Sequence, residues 1–536
     1  MTVTDDPDKS ALSKPDWVSL MSDTIRRIPS TWILAALTAY ALARSLAYAL
    51  SKRLWFDELL TQAVCRQRGV SGIWNALRDG VDGNPPVFYL VERGFAALVA
   101  NESIGYRLPS MLGFTCSLVL IYIFVKKQSG TLSALMCASM LLFTPLFTLF
   151  AAEARPYSLM CSCIAAALVC YQRAPAIHWV VGMFVSLSLA SSFHYYAALA
   201  FLPFLLAEVA ILYEKRQLRF SVWLALLAAA SPLVISLPLL IKMKQHWGTH
   251  FWSRPSLASI SATYGSFFRV DPVWGTAVAG LIVLVFVTGF VRAKGGKWPS
   301  EISTVDRVLT IGLVAIPMIG YLGAVITNGP FVDRYFLPAI FGVLAATGCL
   351  LNRLNRAGIV ACGLVLILAL GLQEFSFWRG VRRQAMSNAP ADSVAGLAVA
   401  AHYQDLPIVI SDPLKYVEMS HYASPELRLR LLTLAEPAEA VAYSGKDTVE
   451  KLVLALRTRE PVNVQEYDAF TRKSQVFLLY SNGSASDWWR LKFLRDGALL
   501  QLVAASGQHE ALYLVKVRKP DVTAGSVSSI GPLPTP

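Results

Sequence analysis

The chain has 536 residues, of which 55% are hydrophobic and only 15% charged, and its formal net charge is +13. This composition excludes an ordinary soluble protein and indicates a polytopic membrane protein. From Phe377 onward there are 18 Lys and Arg against 16 Asp and Glu, so the basic excess lies in the hydrophobic part of the chain. The excess therefore marks membrane topology, and a nucleic-acid partner is excluded.

Apolar runs of about 20 residues are long enough to cross a bilayer as helices. After a polar segment at 1–30, such runs predict eleven spans, at 31–50, 106–125, 131–150, 156–172, 176–193, 196–213, 220–241, 273–291, 307–327, 331–351 and 358–376. Residues 86–100 are interrupted by charges and are predicted as an amphipathic helix in the outer interface. Lys and Arg clusters fall in alternate loops, which places the N-terminus in the cytoplasm.

Two adjacent acids, Asp57 and Glu58, follow the first predicted span. They begin a long outer loop, 51–106, which belongs to the predicted transmembrane domain at 31–380. Acids at the edge of a bilayer are candidates for a chemical role. The alternative is that they cap the N-terminus of the next helix.

From about residue 384 the pattern changes to short alternating elements. Strands are predicted at 407–411, 476–480, 499–504 and 511–517, helices at 413–421, 448–456 and 486–494, and a further short element at 429–434. These elements predict a soluble, extracytoplasmic α/β domain at 384–519, followed by a disordered tail at 520–536. No glycine-rich phosphate loop joins a strand to a helix, so no nucleotide site is predicted.

Six short motifs follow one another over residues 31 to 345, all on the predicted outer side. They are Phe56-Asp57-Glu58, Asn84-Pro85-Pro86-Val87-Phe88-Tyr89, Tyr106-Arg107-Leu108-Pro109-Ser110, Glu153-Ala154-Arg155-Pro156-Tyr157, His194-Tyr195-Tyr196 and Asp333-Arg334-Tyr335-Phe336-Leu337-Pro338. As a set they resemble the GT-C glycosyltransferases that use polyprenyl-phosphate sugars. The nearest group is the bacterial branch related to protein O-mannosyltransferases and the lipid A aminoarabinose transferase.

The resemblance implies a GT-C-like helical membrane fold in a bacterial inner membrane. It implies inverting transfer of a sugar from a polyprenyl-phosphate donor to a hydroxyl of a lipid, glycan or protein acceptor, on the extracytoplasmic side. An apolar groove between the helices is expected to hold the prenyl chain of the donor. Membrane lipids are further expected partners.

The resemblance also implies roles for residues of the motifs. Asp57 is the expected catalytic base and Glu58 a supporting residue. The expected phosphate-binding residues are Arg155, Arg334, Tyr335 and Arg107, and further active-site candidates are Glu153, Tyr157, His194 and Asn84. The alternatives are local pairing of Arg155 with Glu153 and of Arg334 with Asp333, and a plain interface anchor for Arg107.

A divalent cation is a further expectation. His194 and His246 could ligate one together with a carboxylate such as Glu153 or Glu58. The alternative is that these histidines are satisfied interface residues.

A transporter or flippase for a lipid or sugar is the second function class, since many helices with internal polar residues also suit a translocation path. A transporter is expected to show repeated halves with helices broken by Gly or Pro, and the sequence gives no sign of them. A binding module on a membrane anchor is the third class, but eleven spans exceed what anchoring requires.

Overall fold

The computed structural model describes residues 29–248, 250–268, 303–354, 356–386, 403, 405–484, 486–506 and 509–517. The predicted span at 273–291, the predicted tail at 520–536 and nearly all of the predicted segment at 1–30 lie outside these residues. The chain divides into two compact units. The first unit comprises 1–53, 84–238 and 253–386, and the second comprises 54–83, 239–252 and 387–536.

The first unit is helical. Its α-helices are Ser30–Ser51, Pro86–Leu98, Glu102–Leu142, Pro145–Ala151, Tyr157–Tyr171, Ile177–Phe193, Phe201–Lys215, Phe220–Ala229, Ser231–Ile235, Leu257–Phe268, Thr304–Val314, Ile316–Thr327, Ala339–Leu351 and Arg356–Met386. Two 3-10 turns lie at Tyr195–Ala200 and Asp333–Phe336. One apolar cluster runs through these helices, with Phe114, Phe147 and Phe341 among its fully buried side chains.

Several helices of this unit are suited to a membrane. Within the described ranges, four are long and apolar enough to cross one, namely Ser30–Ser51, Glu102–Leu142, Tyr195–Lys215 and Gly358–Met386. Two broken pairs bring the number to six if each pair counts as one span, and Tyr157–Tyr171, Ile177–Phe193 and Ala339–Leu351 are shorter apolar helices. The chain is therefore a multi-pass membrane protein, and the number of eleven spans stays a prediction.

Some helices are broken at Gly or Pro, contrary to the sequence-based expectation. Gly130 has φ 80° and ψ 174° and separates two helical stretches inside Glu102–Leu142. Pro317 opens helix Ile316–Thr327, which is bent by 51° from Thr304–Val314. Proline cannot continue a hydrogen-bonded helix and glycine adopts positive φ freely, so the chain bends at these residues. Apolar runs alone do not reveal such bends.

The second unit combines a sheet with helices from three parts of the chain. Its helices are Phe56–Cys65, Gly69–Arg78, Pro413–Tyr422, Pro425–Arg430, Pro437–Ser444, Thr448–Arg457, Tyr467–Lys473 and Trp489–Arg495, together with most of Leu237–Trp247. Its strands are β1 Ile408–Ile410, β2 Leu431–Leu434, β3 Val464–Gln465, β4 Val476–Ser481, β5 Leu499–Ser506 and β6 Glu510–Lys516.

The six strands form a single mixed sheet in the order β3-β2-β1-β4-β6-β5. Strands β1 to β4 pair in parallel, whereas β6 is antiparallel to both β4 and β5. Val409, Phe477 and Trp489 belong to the core between sheet and helices. The sequence pattern predicted the strands near 408, 476, 499 and 511, but it gave no sign of β3 or of the helices at Pro437–Ser444 and Tyr467–Lys473.

Candidate functional site

Three of the six motifs meet in the first unit. Tyr157 begins a helix, His194 lies between two helices, and Tyr335 lies in the 3-10 turn Asp333–Phe336. The His194 ring centroid is 5.3 Å from that of Tyr157 and 4.9 Å from that of Tyr335. We call this group, together with Arg155 and Arg334, the arginine cluster.

The turn that carries Arg155 is held by backbone and hydroxyl contacts. The Arg155 N–H donates to the Glu153 carbonyl at 2.8 Å, and the Ser110 hydroxyl donates to the Arg155 carbonyl at 2.8 Å. A Cβ at Gly113 would come within 2.8 Å of the Ser158 backbone, so glycine lets helix Glu102–Leu142 pack directly on the start of the next helix. Arg155 is 6% exposed, and its position is therefore defined by the fold.

Arg334 lies among aromatic rings. Its Nε donates to the Tyr157 hydroxyl at 2.9 Å, and its guanidinium carbon lies 6.0 Å from the Phe150 centroid and 5.8 Å from that of Tyr335. The Asp333 carboxylate accepts the Arg334 backbone N–H at 2.7 Å, so it stabilises the turn. Rings that flank a guanidinium fix its plane and partly desolvate its charge.

His194 is neutral at physiological pH. It is 4% exposed, and burial, followed by the charges of Arg155 and Arg334, lowers its pKa to about 3. Its Nδ1 accepts the Tyr196 backbone N–H at 3.2 Å. Because Nδ1 is the acceptor, the ring proton resides on Nε2, and the imidazole is a hydrogen-bond donor beside two cations.

A buried ion pair that sequence reasoning missed also belongs to this unit. Lys52 Nζ lies 2.7 Å from Glu153 Oε1, with the two side chains 9% and 5% exposed. The available signal was a lysine directly after the first predicted span, where a charge is costly unless it is paired. Glu153 therefore has Lys52 as a partner, in addition to any pairing with Arg155.

Arg107 is fully buried at the C-terminal end of helix Ser30–Ser51. Its guanidinium donates to the carbonyls of Ala49 at 2.6 Å, Lys52 at 2.9 Å and Arg53 at 2.9 Å. Cations at this end satisfy unpaired carbonyls and complement the helix dipole. Arg107 thus fixes the segment that carries Lys52, and its predicted phosphate contact stays a prediction.

Asn84 is also buried, at 3% exposure. Its backbone N–H and its side-chain amide both lie 3.4 Å from the Tyr89 hydroxyl. These contacts join the start of the Asn84-Pro85-Pro86 motif to the helix that follows. They give Asn84 a local structural role, and an active-site role stays a prediction.

Asp57 and Glu58 belong to the second unit, at the N-terminus of helix Phe56–Cys65. Glu58 is 1% exposed, and its Oε2 accepts the Trp55 N–H at 3.2 Å, which stabilises the start of the helix. The Phe56 N–H donates to Glu418 Oε1 at 3.1 Å, which ties the helix start to helix Pro413–Tyr422. Asp57 is only partly buried, so its carboxylate is the more accessible of the two acids.

The candidate metal ligands fall into both units. His194 and Glu153 lie in the first, whereas His246 lies on helix Leu237–Trp247, where a Cβ at Gly80 would come within 2.6 Å of its ring. Throughout the described part of the chain, no group of three or more His, Cys, Asp or Glu is arranged to hold a metal ion. The divalent cation stays a prediction.

The arginine cluster is chemically suited to an anion. It contains two guanidinium groups, a neutral imidazole that donates from Nε2, and tyrosine hydroxyls at Tyr157 and Tyr335. Guanidinium groups make bidentate contacts to phosphate, and such contacts are stronger at partly buried positions. Aromatic and apolar walls suit the lipid part of an amphipathic ligand.

Comparison with known proteins agrees with this picture. Residues 83–241 match a family model described as dolichyl-phosphate-mannose-protein mannosyltransferase. The apo structure of ArnT from Cupriavidus metallidurans is similar with a TM-score of 0.54 and 12% identity, covering 90% of this chain and 98% of that one. The structure of the same ArnT bound to undecaprenyl phosphate gives a TM-score of 0.52 and 14% identity, covering 91% and 98%. No curated protein matches at the level of sequence.

The match of the family model falls on the segment that carries Asn84, Arg107, Arg155 and His194. The structural match to ArnT covers 90% of this chain. These two findings confirm the predicted resemblance to the GT-C glycosyltransferases, and the chain is a multi-pass membrane protein with a fold similar to that of ArnT.

Proposed function

We propose that the chain is a membrane glycosyltransferase that moves a sugar from a polyprenyl-phosphate donor to an acceptor hydroxyl on the extracytoplasmic side. The main support for this proposal is the arginine cluster. The positive charges of Arg155 and Arg334 both lower the pKa of His194, whose ring lies 4.9 Å from that of Tyr335. The ArnT with the same fold has been crystallised with undecaprenyl phosphate, which supports a lipid phosphate as ligand.

In the proposed reaction Arg155 and Arg334 bind the donor phosphate, with Tyr335 beside them. Asp57 accepts the proton of the acceptor hydroxyl, and the oxygen attacks the anomeric carbon. The bond between that carbon and the phosphate oxygen breaks, and its electron pair leaves with the polyprenyl phosphate. The arginines stabilise the charge of the leaving phosphate, and attack from the opposite side inverts the anomeric configuration.

The proposed location is the inner membrane of a bacterium, with the second unit on the outer side. The alternating Lys and Arg loops support this orientation. Reporter fusions after Lys127 and Arg356 are expected to report the cytoplasm, and a fusion after Arg383 the outer side. A cytoplasmic signal after Arg383 would contradict the orientation.

The test of the function is release of polyprenyl phosphate. Purified full-length protein is incubated with a panel of polyprenyl-phosphate sugars and with lipid, glycan and protein acceptors, with and without a chelator of divalent cations. We expect release with at least one donor that depends on an acceptor. The chelator arm tests the predicted metal.

A transporter or flippase is the second candidate, and the broken helices favour it, since such helices are common in transporters. Absence of release with every donor, together with movement of a labelled lipid-linked sugar across vesicles, would support the transporter and refute the transferase.

A further inference from the structure

The second unit contains a cavity of about 300 Å³ beside helices Phe56–Cys65 and Pro413–Tyr422. Its polar lining includes Gln62, Arg66, Tyr416, His421, Arg428 and Asn463. Small-molecule sites have volumes of roughly 300 to 1,000 Å³. The cavity therefore has room for a ligand about the size of one sugar ring.

The inner wall of the cavity presents an unused hydrogen-bond donor. Gln62 is 2% exposed, and its amide nitrogen has no hydrogen-bond partner among the described residues. Tyr416, by contrast, accepts the Asn463 backbone N–H at 2.6 Å. Buried amides are nearly always hydrogen-bonded. A ligand with hydroxyl or carbonyl oxygens would satisfy the Gln62 amide.

The mouth of the cavity carries more positive than negative charge. Arg66 and Arg428 are exposed there, and Arg428 is held at the rim by donating to the carbonyls of His421 at 3.0 Å and Ala423 at 3.3 Å. The carboxyl group among the described lining residues is that of Glu460. Burial raises its pKa above the usual value, and the nearby charge of Arg66 offsets only part of this rise. Two cations against one carboxyl favour an anionic ligand.

Apart from Ser420, the remaining lining is apolar and includes Leu59, Leu456 and Pro461. A sugar ring has hydroxyl groups at its edge and a face of C–H groups, so it matches a wall of this mixed character. A bare inorganic anion would leave the apolar part of the wall without a partner.

We propose that this cavity binds an anionic sugar, bearing a carboxylate or a phosphate, that belongs to the acceptor. Helix Phe56–Cys65 carries both Asp57 and the cavity residue Gln62, which lie roughly 8 Å apart along its axis. The two side chains leave the helix about 140° apart, so a sugar in the cavity would contact the helix that carries the proposed base, on a different face. The assignment of the ligand as acceptor rests on the proposed transferase function, whereas the assignment of the cavity does not.

Calorimetric titration of the full-length protein in detergent tests the cavity. The probes are glucuronic acid, glucose 6-phosphate, uncharged glucose and inorganic phosphate. We expect at least one anionic sugar to bind at least tenfold more tightly than glucose or phosphate, and the tighter of the two identifies the anion. Arg66→Gln and Gln62→Met are each expected to weaken binding at least tenfold.

Matched controls lie on the same segment. Arg68→Gln removes an exposed arginine two residues from Arg66, and Gln67→Met removes an amide that donates to the Ala63 carbonyl, and neither residue lines the cavity. Both variants are expected to keep the affinity of the parent protein. If the buried Gln62→Met variant does not fold, the exposed Arg66→Gln variant tests the same cavity.

Several results would overturn the proposal. If inorganic phosphate binds as tightly as the anionic sugars, the sugar ring is not recognised. If glucose binds as tightly as they do, the negative charge is not recognised. If Arg66→Gln binds them with unchanged affinity, the ligand does not bind in this cavity. If the anionic sugar binds but no donor releases polyprenyl phosphate, the transferase function fails while the cavity assignment stands. If Arg66→Gln weakens binding but leaves transfer unchanged, the acceptor role is refuted.

Discussion

Replacement of Arg334 by lysine keeps the charge and removes the planar guanidinium. The variant loses the 2.9 Å hydrogen bond from Nε to Tyr157 and the contacts with the rings of Phe150 and Tyr335. A hydrogen bond of a charged group contributes about 1.5 to 3 kcal/mol. At about 1.4 kcal/mol for each factor of ten, Arg334→Lys should raise the donor KM roughly 10-fold to 140-fold if this geometry is needed for phosphate binding.

The assay measures release of polyprenyl phosphate over a range of donor concentrations at saturating acceptor. Tyr157→Phe removes the hydroxyl that Arg334 contacts but leaves the guanidinium in place, so a smaller rise in KM is expected. Arg219→Lys is the control, because Arg219 is a partly buried arginine paired with Glu208, and its loss should lower stability without changing the donor KM. An unchanged KM in Arg334→Lys would refute bidentate phosphate binding by this residue.

Three further variants test other parts of the molecule. Asp57→Asn should lower kcat about 100-fold to 10,000-fold with donor binding retained. Glu58→Gln keeps an acceptor for the Trp55 N–H and should lower kcat less. An active Asp57→Asn protein would refute the assignment of Asp57 as the base. Glu374→Gln should destabilise the protein by roughly 3 to 5 kcal/mol, because it leaves the buried Arg44, 2.8 Å from Glu374, without a negatively charged partner. Replacement of both residues by methionine should restore most of the lost thermal stability. Burial raises the pKa of Glu450 to about 7, so the free energy of unfolding should fall as pH rises from about 4.5 to about 7. Glu450→Gln should therefore raise the unfolding temperature at pH 8, by an amount equivalent to about 3 kcal/mol, and change it little at pH 5. An equal effect at both pH values would contradict this pKa.

The sequence predicted the arginine cluster better than its surroundings. Arg155, His194 and Arg334 were identified through the resemblance of their motifs to the GT-C glycosyltransferases, and charged and imidazole groups near a bilayer are also costly and therefore rare. The same argument applied to Lys52 and Glu374 would have indicated partners for them. It could not have named those partners, because the pairs join residues 101 and 330 positions apart in the chain.

The grouping of the first outer loop with the C-terminal sheet could not be predicted from local patterns. Helix Phe56–Cys65 has two acids in its first turn and an apolar face, and both are visible in the sequence. Its contact with Glu418 depends on tertiary packing, since the two segments are more than 350 positions apart. The short strand β3 was missed for a related reason, because two residues carry no periodicity.

The histidine of the arginine cluster gives a further prediction about pH. Its pKa is lowered from about 6.5 to about 3 by burial and by Arg155 and Arg334, so His194 is uncharged at every pH above about 4. Charging it in the folded state is unfavourable, and the fold should lose stability as pH falls from about 6.5 towards about 3. The phosphodiester of a polyprenyl-phosphate sugar does not titrate between pH 5.5 and 8. The donor KM should therefore stay constant over that range. His194→Gln keeps a neutral hydrogen-bonding side chain and should preserve the flat KM profile. A donor KM that changes around pH 6.5 in the parent protein and not in His194→Gln would show that His194 titrates normally, and would refute the electrostatic account of the cluster.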